Sequence, residues 1–455
     1  MEIRKKKTIP YNFSQKHKDY IKKTASCMYN FAEGAVRAGK TVDHIYAFAH
    51  ELKSTKDKLH LATGSTGANA KLNIGDCNGF GLEYYFRGQC RWGKYKDNEA
   101  LFIKGPSTKN RLRVVIFAGG GKADSYKKIR GNSYGMWIAT EINLHHDNTI
   151  KEAFNRTIAA KKRKIFWDLN PDNPNAPIYK EYIDKYAKKN VDGELLGGYN
   201  YQHFTIDDNI TISEERRNEI KSQYDPDSIW YMRDIKGLRC IAEGLIYKRF
   251  ANDSSVSNCR SFFVTEELLN NIQEINIGVD FGGNGSGHAF VCTGITYGYR
   301  EIIVLSSERW LEGEKGCKDI TPDKLGELFV NFVKRMQIKW GKYGTIDYAY
   351  MDSAEQVLIR GLEASCEKEG IYLTIRNAIK TIINDRINCT VSLMAQGRFY
   401  ITDDCESLKQ AFNTAVWDPK SIELVRLDDG NSDIDSLDAY EYTIERNIKD
   451  FIEYL

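Results

Sequence analysis

No CxxC pair occurs anywhere in this chain, although it holds 10 cysteines, and histidines number only 8. A zinc site is therefore not expected, and scattered free thiols point to a reducing cytoplasm. No stretch approaches 18 consecutive apolar residues, so no membrane span is expected. The opening MEIRKKKTIPYNFSQ is basic but lacks the apolar run of a secretory signal. Neither sign of charge dominates: 65 Lys and Arg stand against 62 Asp and Glu, a formal net charge of +3. That balance excludes a polyanion-binding tail, and any nucleic-acid contact must rest on local clusters of basic residues. Internal repeats and low-complexity tracts are also missing. What remains is a soluble, intracellular chain of 455 residues with 42% hydrophobic content, enough for two domains and a small third.

Strand-like and helical patterns alternate through the first two hundred residues. LHLATG (59–64), RVVIFAG (113–119), GMWIATEI (135–142) and KIFWDLN (164–170) read as short buried strands, and a further strand is expected over 26–32. VDHIYAFAHELK (42–53) and IKEAFNRTIAAKK (150–162) have helical spacing. This is an α/β pattern with a mostly parallel sheet. A mixed region follows, with a charged helix near 213–224, and the polar NDSSVSNCRS (252–261) reads as a linker or loop. A second α/β pattern begins at INIGVDFG (275–282), continues in two strands over 289–295 and 301–310, and adds a strand at TIDYAYMDS (345–353). Helices are expected over 322–338, 354–368, 378–395 and 432–448. A sheet followed by helices that carry carboxylates suggests an RNase H-like core.

Gly34-Ala35-Val36-Arg37-Ala38-Gly39-Lys40-Thr41 fits G-x-x-x-x-G-K-[ST], the phosphate-binding Walker A loop. The glycines Gly34 and Gly39 let backbone N–H groups, including that of Ala38, turn toward phosphate oxygens at a helix N-terminus. Lys40 would neutralise the β- and γ-phosphates of ATP, and the Thr41 hydroxyl would ligate Mg²⁺. Glu141, after the apolar run Met136–Ala139, is the candidate base that orients the attacking water. The residue before it, where an Asp usually contacts Mg²⁺ through water, is Thr140, so metal affinity is expected to rest more on Thr41. Arg37 lies inside the loop and reads either as an arginine finger in cis or as a solvated or DNA-contacting arginine. Residues 104–130 hold eight Lys and Arg against one acid, Asp124. They read either as a phosphate-facing stretch, with Arg130 reaching a neighbouring subunit's ATP, or as a solvated basic loop.

Three carboxylate positions stand out in the C-terminal half. Asp280 ends INIGVD, Asp352 ends YAYMD, and Asp433, Asp435 and Asp438 lie in SDIDSLDAYEY. Asp435 and Asp438 share a helix face at a spacing of three. Acids from two strand ends and a helix can hold two divalent metals, Mg²⁺ or Mn²⁺. On spacing alone each also reads as a turn residue or helix cap.

FAEGAVRAGKT followed by FAGGGKADSYKKIRGNSYGMWIATE resembles the large subunits of bacteriophage terminases, of the kind found in defective Bacillus prophages. WDLNPDNPNAPIYKEYI (167–183) is similar to the motif that couples hydrolysis to movement in that family, and RDIKGLRCIAEGLIYKRF (233–250) to its bridge between ATPase and nuclease. The resemblance covers about 13 to 448. It implies a P-loop ATPase domain over 1–200, a bridge over 201–265 and an RNase H-like nuclease over 266–455. It places Asn170 near the γ-phosphate. The family's nucleases end in an acid followed by Ala-x-x-Tyr, matched by Asp438-Ala439-Tyr440-Glu441-Tyr442. Asp280, Asp352 and Asp438 are then the catalytic, metal-holding acids, with Asp435 as an auxiliary ligand. The implied activity is ATP-driven translocation of double-stranded viral DNA and metal-dependent cutting of the concatemer. The implied partners are the portal protein, the terminase small subunit and further copies in a ring, expected to be pentameric, on the procapsid in the host cytoplasm. Two other functions fit the motifs less fully: a P-loop helicase or repair ATPase with a non-cleaving second domain, and a portal-associated assembly protein with a degenerate ATP site.

Overall fold

The computed structural model describes residues 11–257, 259–282, 287–312, 320–428 and 433–453. The chain divides into two compact units, one built from the residues up to Glu219 together with Tyr231–Ile241, the other from Ile220–Trp230 and the chain from Ala242 onward. Residues 201–265, the expected bridge, are thus shared between the two units.

The first unit is built on eight strands: β1 (Tyr29–Gly34), β2 (Leu59–Gly64), β3 (Cys90–Tyr95), β4 (Asn98–Ile103), β5 (Arg113–Gly119), β6 (Met136–Ala139), β7 (Lys164–Leu169) and β8 (Tyr199–Phe204). Their order in the sheet is β3-β4-β5-β2-β6-β7-β1-β8. All pairings from β5 to β8 are parallel, and at one edge β3 pairs antiparallel with β4 and β4 antiparallel with β5. This is a P-loop NTPase sheet. The strands are buried on both faces, so their apolar residues run almost continuously. Alternation still decides which way each points. Trp137, Ala139, Ile165 and Trp167 face one core, whereas Met136, Ile138 and Phe166 face the other, where Phe48 of the helix Lys40–Ser54 packs. Neither β3–β4 nor β8 was expected. The hairpin is partly exposed and lacks a strong turn signal, and β8 (YNYQHF) is rich in polar residues because it lies at a sheet edge.

The second unit holds β9 (Ile272–Asp280), β10 (His288–Thr296), β11 (Ile302–Trp310), β12 (Ile346–Met351), β13 (Thr374–Asn377) and β14 (Phe399–Ile401), in the order β13-β12-β9-β10-β11-β14. β9, β10 and β11 form an antiparallel meander, and β12 and β14 run parallel to its two edges. That is an RNase H-like sheet. One face packs Ile275, Ile277, Val279, Phe290 and Cys292 against the helix Pro322–Trp340. The other packs Ala289, Val291 and Val304 against the helices Ile383–Ala395, Glu406–Thr414 and Ile434–Ile444. The polar run expected as a linker over 252–261 is helical as far as Ser257, in the helix Lys248–Ser257, and Asn258 lies outside the described residues. The helix is anchored by Phe250, which is wholly buried against Phe262 and Phe412, so tertiary packing overrides a composition that favours a loop.

Candidate active sites

In the first unit, β1 runs into the loop Ala35–Gly39 and the helix Lys40–Ser54. Gly39 has φ +95°, and a Cβ there would stand 2.2 Å from the Tyr11 hydroxyl, so both backbone and space demand glycine. Gly34 closes β1, and Ala38 is buried between the two. Arg37 is the loop residue that adopts a left-handed conformation without being glycine, with φ +58°; its side chain is exposed and its carbonyl accepts a hydrogen bond from Asn209. Lys40 is almost fully buried. Its Nζ donates to the carbonyls of Gly34 (2.8 Å) and Ala35 (2.6 Å) and to Asn170 Oδ1 (3.0 Å). Burial pulls its ammonium down to about 8, against the pull of Asp168, Glu33, Asp234 and Glu141 around it. Asn170, at the tip of β7, is thus brought to the loop lysine.

Glu141 follows β6 in a left-handed conformation, φ +52°. Its carboxyl is held above its ordinary range by burial and by the Asp168 charge, with Lys40 opposing. Thr140 is buried, and its hydroxyl donates to Asp168 Oδ1 at 3.1 Å. The Glu141 backbone N–H reaches the same oxygen at 3.0 Å. Asp168 is the site residue that sequence reasoning missed. Its signal was a carboxylate at the end of the buried strand KIFWDL, which burial disfavours unless something pairs with it.

The basic stretch 104–130 is only partly a surface. Arg113 lies in β5, buried, and donates to the carbonyls of Leu52 and Thr55, so it is committed to the fold and does not face phosphate. Arg130 pairs with Glu152 at 3.4 Å and lies over the Tyr126 ring, with its side chain still more than half exposed.

On the opposite face of β1 from the helix, Glu33 is 1% exposed and accepts from the hydroxyls of Tyr179 and Tyr201, each at 2.8 Å. Arg239 grips it through Nε and Nη2 (2.9 and 2.7 Å) and reaches Asp184 through Nη1. Removing the arginine leaves a buried carboxylate without its cation. Arg239→Ala is therefore expected to destabilise the first unit by about 3 kcal/mol. Calorimetry would read this as a lower midpoint of whichever transition Mg·ADP shifts, with the other transition unmoved.

In the second unit, Met351 pairs with Val279 in parallel register, which brings Asp352 beside Asp280. Both follow residues that point to the Pro322–Trp340 side, so both point to the opposite face. The helix Ile434–Ile444 packs there so closely that a Cβ on Gly278 would stand 1.7 Å from the Ala439 carbonyl. The Ala-x-x-Tyr pattern after Asp438 now has a physical account. Ala439 sits against β9, and one turn on, the Tyr442 hydroxyl donates to Asp280 Oδ1 at 3.1 Å.

Asp280 is 8% exposed. Burial, and then the charges of Asp438, Asp435 and Asp352, push its carboxyl up to about 8. The other three acids are each held by a cation: Asp352 by Lys380, Asp438 by Arg426, and Asp435 by Arg309 at 2.9 Å. Asp435 also accepts from the Gly287 N–H at 2.8 Å. Asp433 caps the helix through the Ser436 N–H and pairs with Arg309, a structural role. The four carboxylates share one face of the sheet, and their charges meet at Asp280. Among the described residues no three His, Cys, Asp or Glu side chains are gathered closely enough to hold a metal ion.

The family model for the N-terminal part of terminase large subunits, T4likevirus-type, matches residues 32–252, from within β1 past Glu141, Asp168 and Asn170. Over that stretch the chain matches the terminase large subunits. Their fold extends over the whole chain. The structure of a large terminase from a thermophilic bacteriophage is 19% identical and superposes with a TM-score of 0.71, covering 96% of this chain and 99% of that one. The same thermophilic phage terminase in complex with ATP-gamma-S is 18% identical with a TM-score of 0.67, covering 95% and 99%. Comparison with curated proteins finds no match. Among the described residues no helix is long and apolar enough to cross a membrane.

Proposed function

We propose that the first unit hydrolyses ATP to translocate double-stranded viral DNA into a procapsid, and that the second cuts the DNA concatemer with a divalent metal. One observation carries this reading: a chain that matches the terminase large subunits over residues 32–252 holds a phosphate loop with Lys40, Thr41 and Glu141 in one unit and the Asp280 carboxylate face in the other. Gly34, Ala38 and Gly39 shape the loop that binds the phosphates. Lys40 and Asn170 meet the γ-phosphate, Thr41 takes Mg²⁺, Glu141 orients water, and Arg37 is the finger in cis. The thermophilic phage terminase bound to ATP-gamma-S supports an adenine nucleotide in this site.

Asp280, Asp352 and Asp438, with Asp435 as auxiliary, suit Mg²⁺ or Mn²⁺ because the donor set is all oxygen. A dication bound there supplies an activated water and a stabilised leaving oxygen, in a two-metal arrangement. Asp280 fits that role because, among the described residues, it is the one acid of the four without a cationic partner. Holding the metal requires Asp352 and Asp438 to exchange Lys380 and Arg426 for it. The working form is a ring of subunits, pentameric, on the portal at the procapsid vertex in the infected host's cytoplasm, supplied with DNA by a small subunit.

One preparation of the protein should both hydrolyse ATP and linearise plasmid DNA with Mn²⁺. ATPase without cleavage would instead favour a helicase or repair ATPase. Metal should also act on stability with a defined pH dependence. A folded-state carboxyl near 8 keeps its proton where an unfolded aspartate, near 3.8, has lost it. The metal-free second unit therefore binds more protons folded than unfolded, and it loses stability as pH rises from about 4 to about 8. Mn²⁺ replaces that proton, so the rise in melting temperature on adding Mn²⁺ should be larger at pH 8 than at pH 6. Asp280→Asn should remove both the metal shift and its pH dependence.

A further inference from the structure

β6 is followed by Thr140, a residue with no negative charge, where a magnesium nucleotide site ordinarily has a carboxylate. The structure assigns that carboxylate to the neighbouring strand: we propose that Asp168, at the end of β7, holds the Mg²⁺ of the bound nucleotide together with Thr41, in place of a carboxylate at position 140. The inference rests on the nucleotide-site reading of the first unit.

Four observations carry it. Ala139 pairs with Trp167 in parallel register, so Asp168 stands level with Thr140, one strand nearer to β1. Phe166 packs against the Lys40–Ser54 helix through Phe48, and by alternation Asp168 points the same way, toward the end of that helix carrying Lys40 and Thr41. Its Oδ1 is held by the Thr140 hydroxyl and the Glu141 N–H, at 3.1 and 3.0 Å. Its Oδ2 is fully buried and meets no hydrogen-bond geometry, although buried carboxylate oxygens rarely go without a partner, and the Thr41 hydroxyl lies close enough to act on the same carboxylate. One oxygen is thus fixed by the strand end and the other is left for a ligand. Thr140 then acts as the hydroxyl that orients the carboxylate, and Glu141 is tied to the metal through its own N–H.

The arrangement explains why a chain without an acid at position 140 keeps the lysine, threonine and glutamate of a working site. It also gives Mg²⁺ a route to position Glu141. The carboxylate that faces the metal also bonds the Glu141 N–H and so secures its left-handed backbone, a conformation that is strained outside glycine and must be held by its surroundings.

The test reads nucleotide affinity and not turnover, using a fluorescent ADP analogue titrated with and without Mg²⁺. Asp168→Asn should reduce the gain in affinity that Mg²⁺ gives over EDTA by about 10–100-fold. The relocation variant Thr140→Asp with Asp168→Asn should recover most of the loss. Because a buried substitution can impair folding, Thr140→Asp alone provides a second reading. Two carboxylates then crowd one point, so its melting temperature should fall in EDTA and recover with Mg·ADP. An Asp168→Asn protein that folds and keeps wild-type Mg²⁺ dependence would overturn the assignment, as would a Thr140→Asp protein that Mg·ADP does not restabilise. Wild-type protein that binds no nucleotide under either condition would overturn the nucleotide site itself, and the role of Asp168 with it.

Discussion

Asp280→Asn is expected to reduce Mn²⁺-dependent linearisation of plasmid DNA by on the order of 10³-fold, equivalent to about 4 kcal/mol of barrier. ATP hydrolysis should stay within about twofold of wild type, because sites that share no partners act independently. The size of the effect follows from the position of Asp280. It is buried at the end of a central strand, and the charges of Asp352, Asp435 and Asp438 all act on it. The amide keeps the shape and the Tyr442 contact but removes the negative charge that a dication needs. The substitution should not unfold the unit. It removes a carboxyl that already favours its protonated form, so stability without metal should hold or rise. If Asp280→Asn protein cut DNA at the wild-type rate, the metal centre could not be at this face. Asp438→Asn should also abolish cleavage, with an added stability cost because it strips a partner from the buried Arg426.

Glu141→Gln gives the second large effect. Loss of a positioned base should slow ATP hydrolysis by about 10²–10⁴-fold while nucleotide binding persists. Lys40→Ala differs in kind: it removes the ammonium from the phosphate loop, so binding and hydrolysis fall together. Both variants should retain DNA cleavage, since Glu141 and Lys40 belong to the first compact unit and the carboxylate face to the second. Steady-state ATPase and nucleotide titration on each variant separate the two roles. Near-normal turnover by Glu141→Gln would remove Glu141 from the hydrolytic position.

Much of this was legible in the residues. Gly34 to Thr41 form a local motif whose geometry is set by the chain itself, so a glycine-bounded loop that opens a helix at Lys40 follows from spacing alone. Asp280 and Asp352 were legible as acids at the ends of apolar strands, whereas Asp438 stood out only through the resemblance to a family pattern. The strands RVVIFAG and LHLATG coincide with β5 and β2 because burial on both faces leaves a continuous apolar run. The short or polar edge strands β8, β13 and β14 were not legible, because an edge strand owes its conformation to the neighbour it pairs with.

Only the tertiary structure decided which side chains share a site. Asp168 lies 28 positions after Thr140, and nothing local shows that β7 inserts between β6 and β1. Strand order is a property of the assembled sheet, and it alone sets a carboxylate level with the missing one. The same holds for Asp280, whose environment comes from a helix more than 150 positions away packing on Gly278. Arg113 shows the reverse: it reads as part of a basic surface in the sequence, yet the fold turns it inward to carbonyl groups. Local motifs follow from short-range geometry and were readable as written. Partnerships between distant charges depend on register, strand order and burial, which arise only when the sheets assemble.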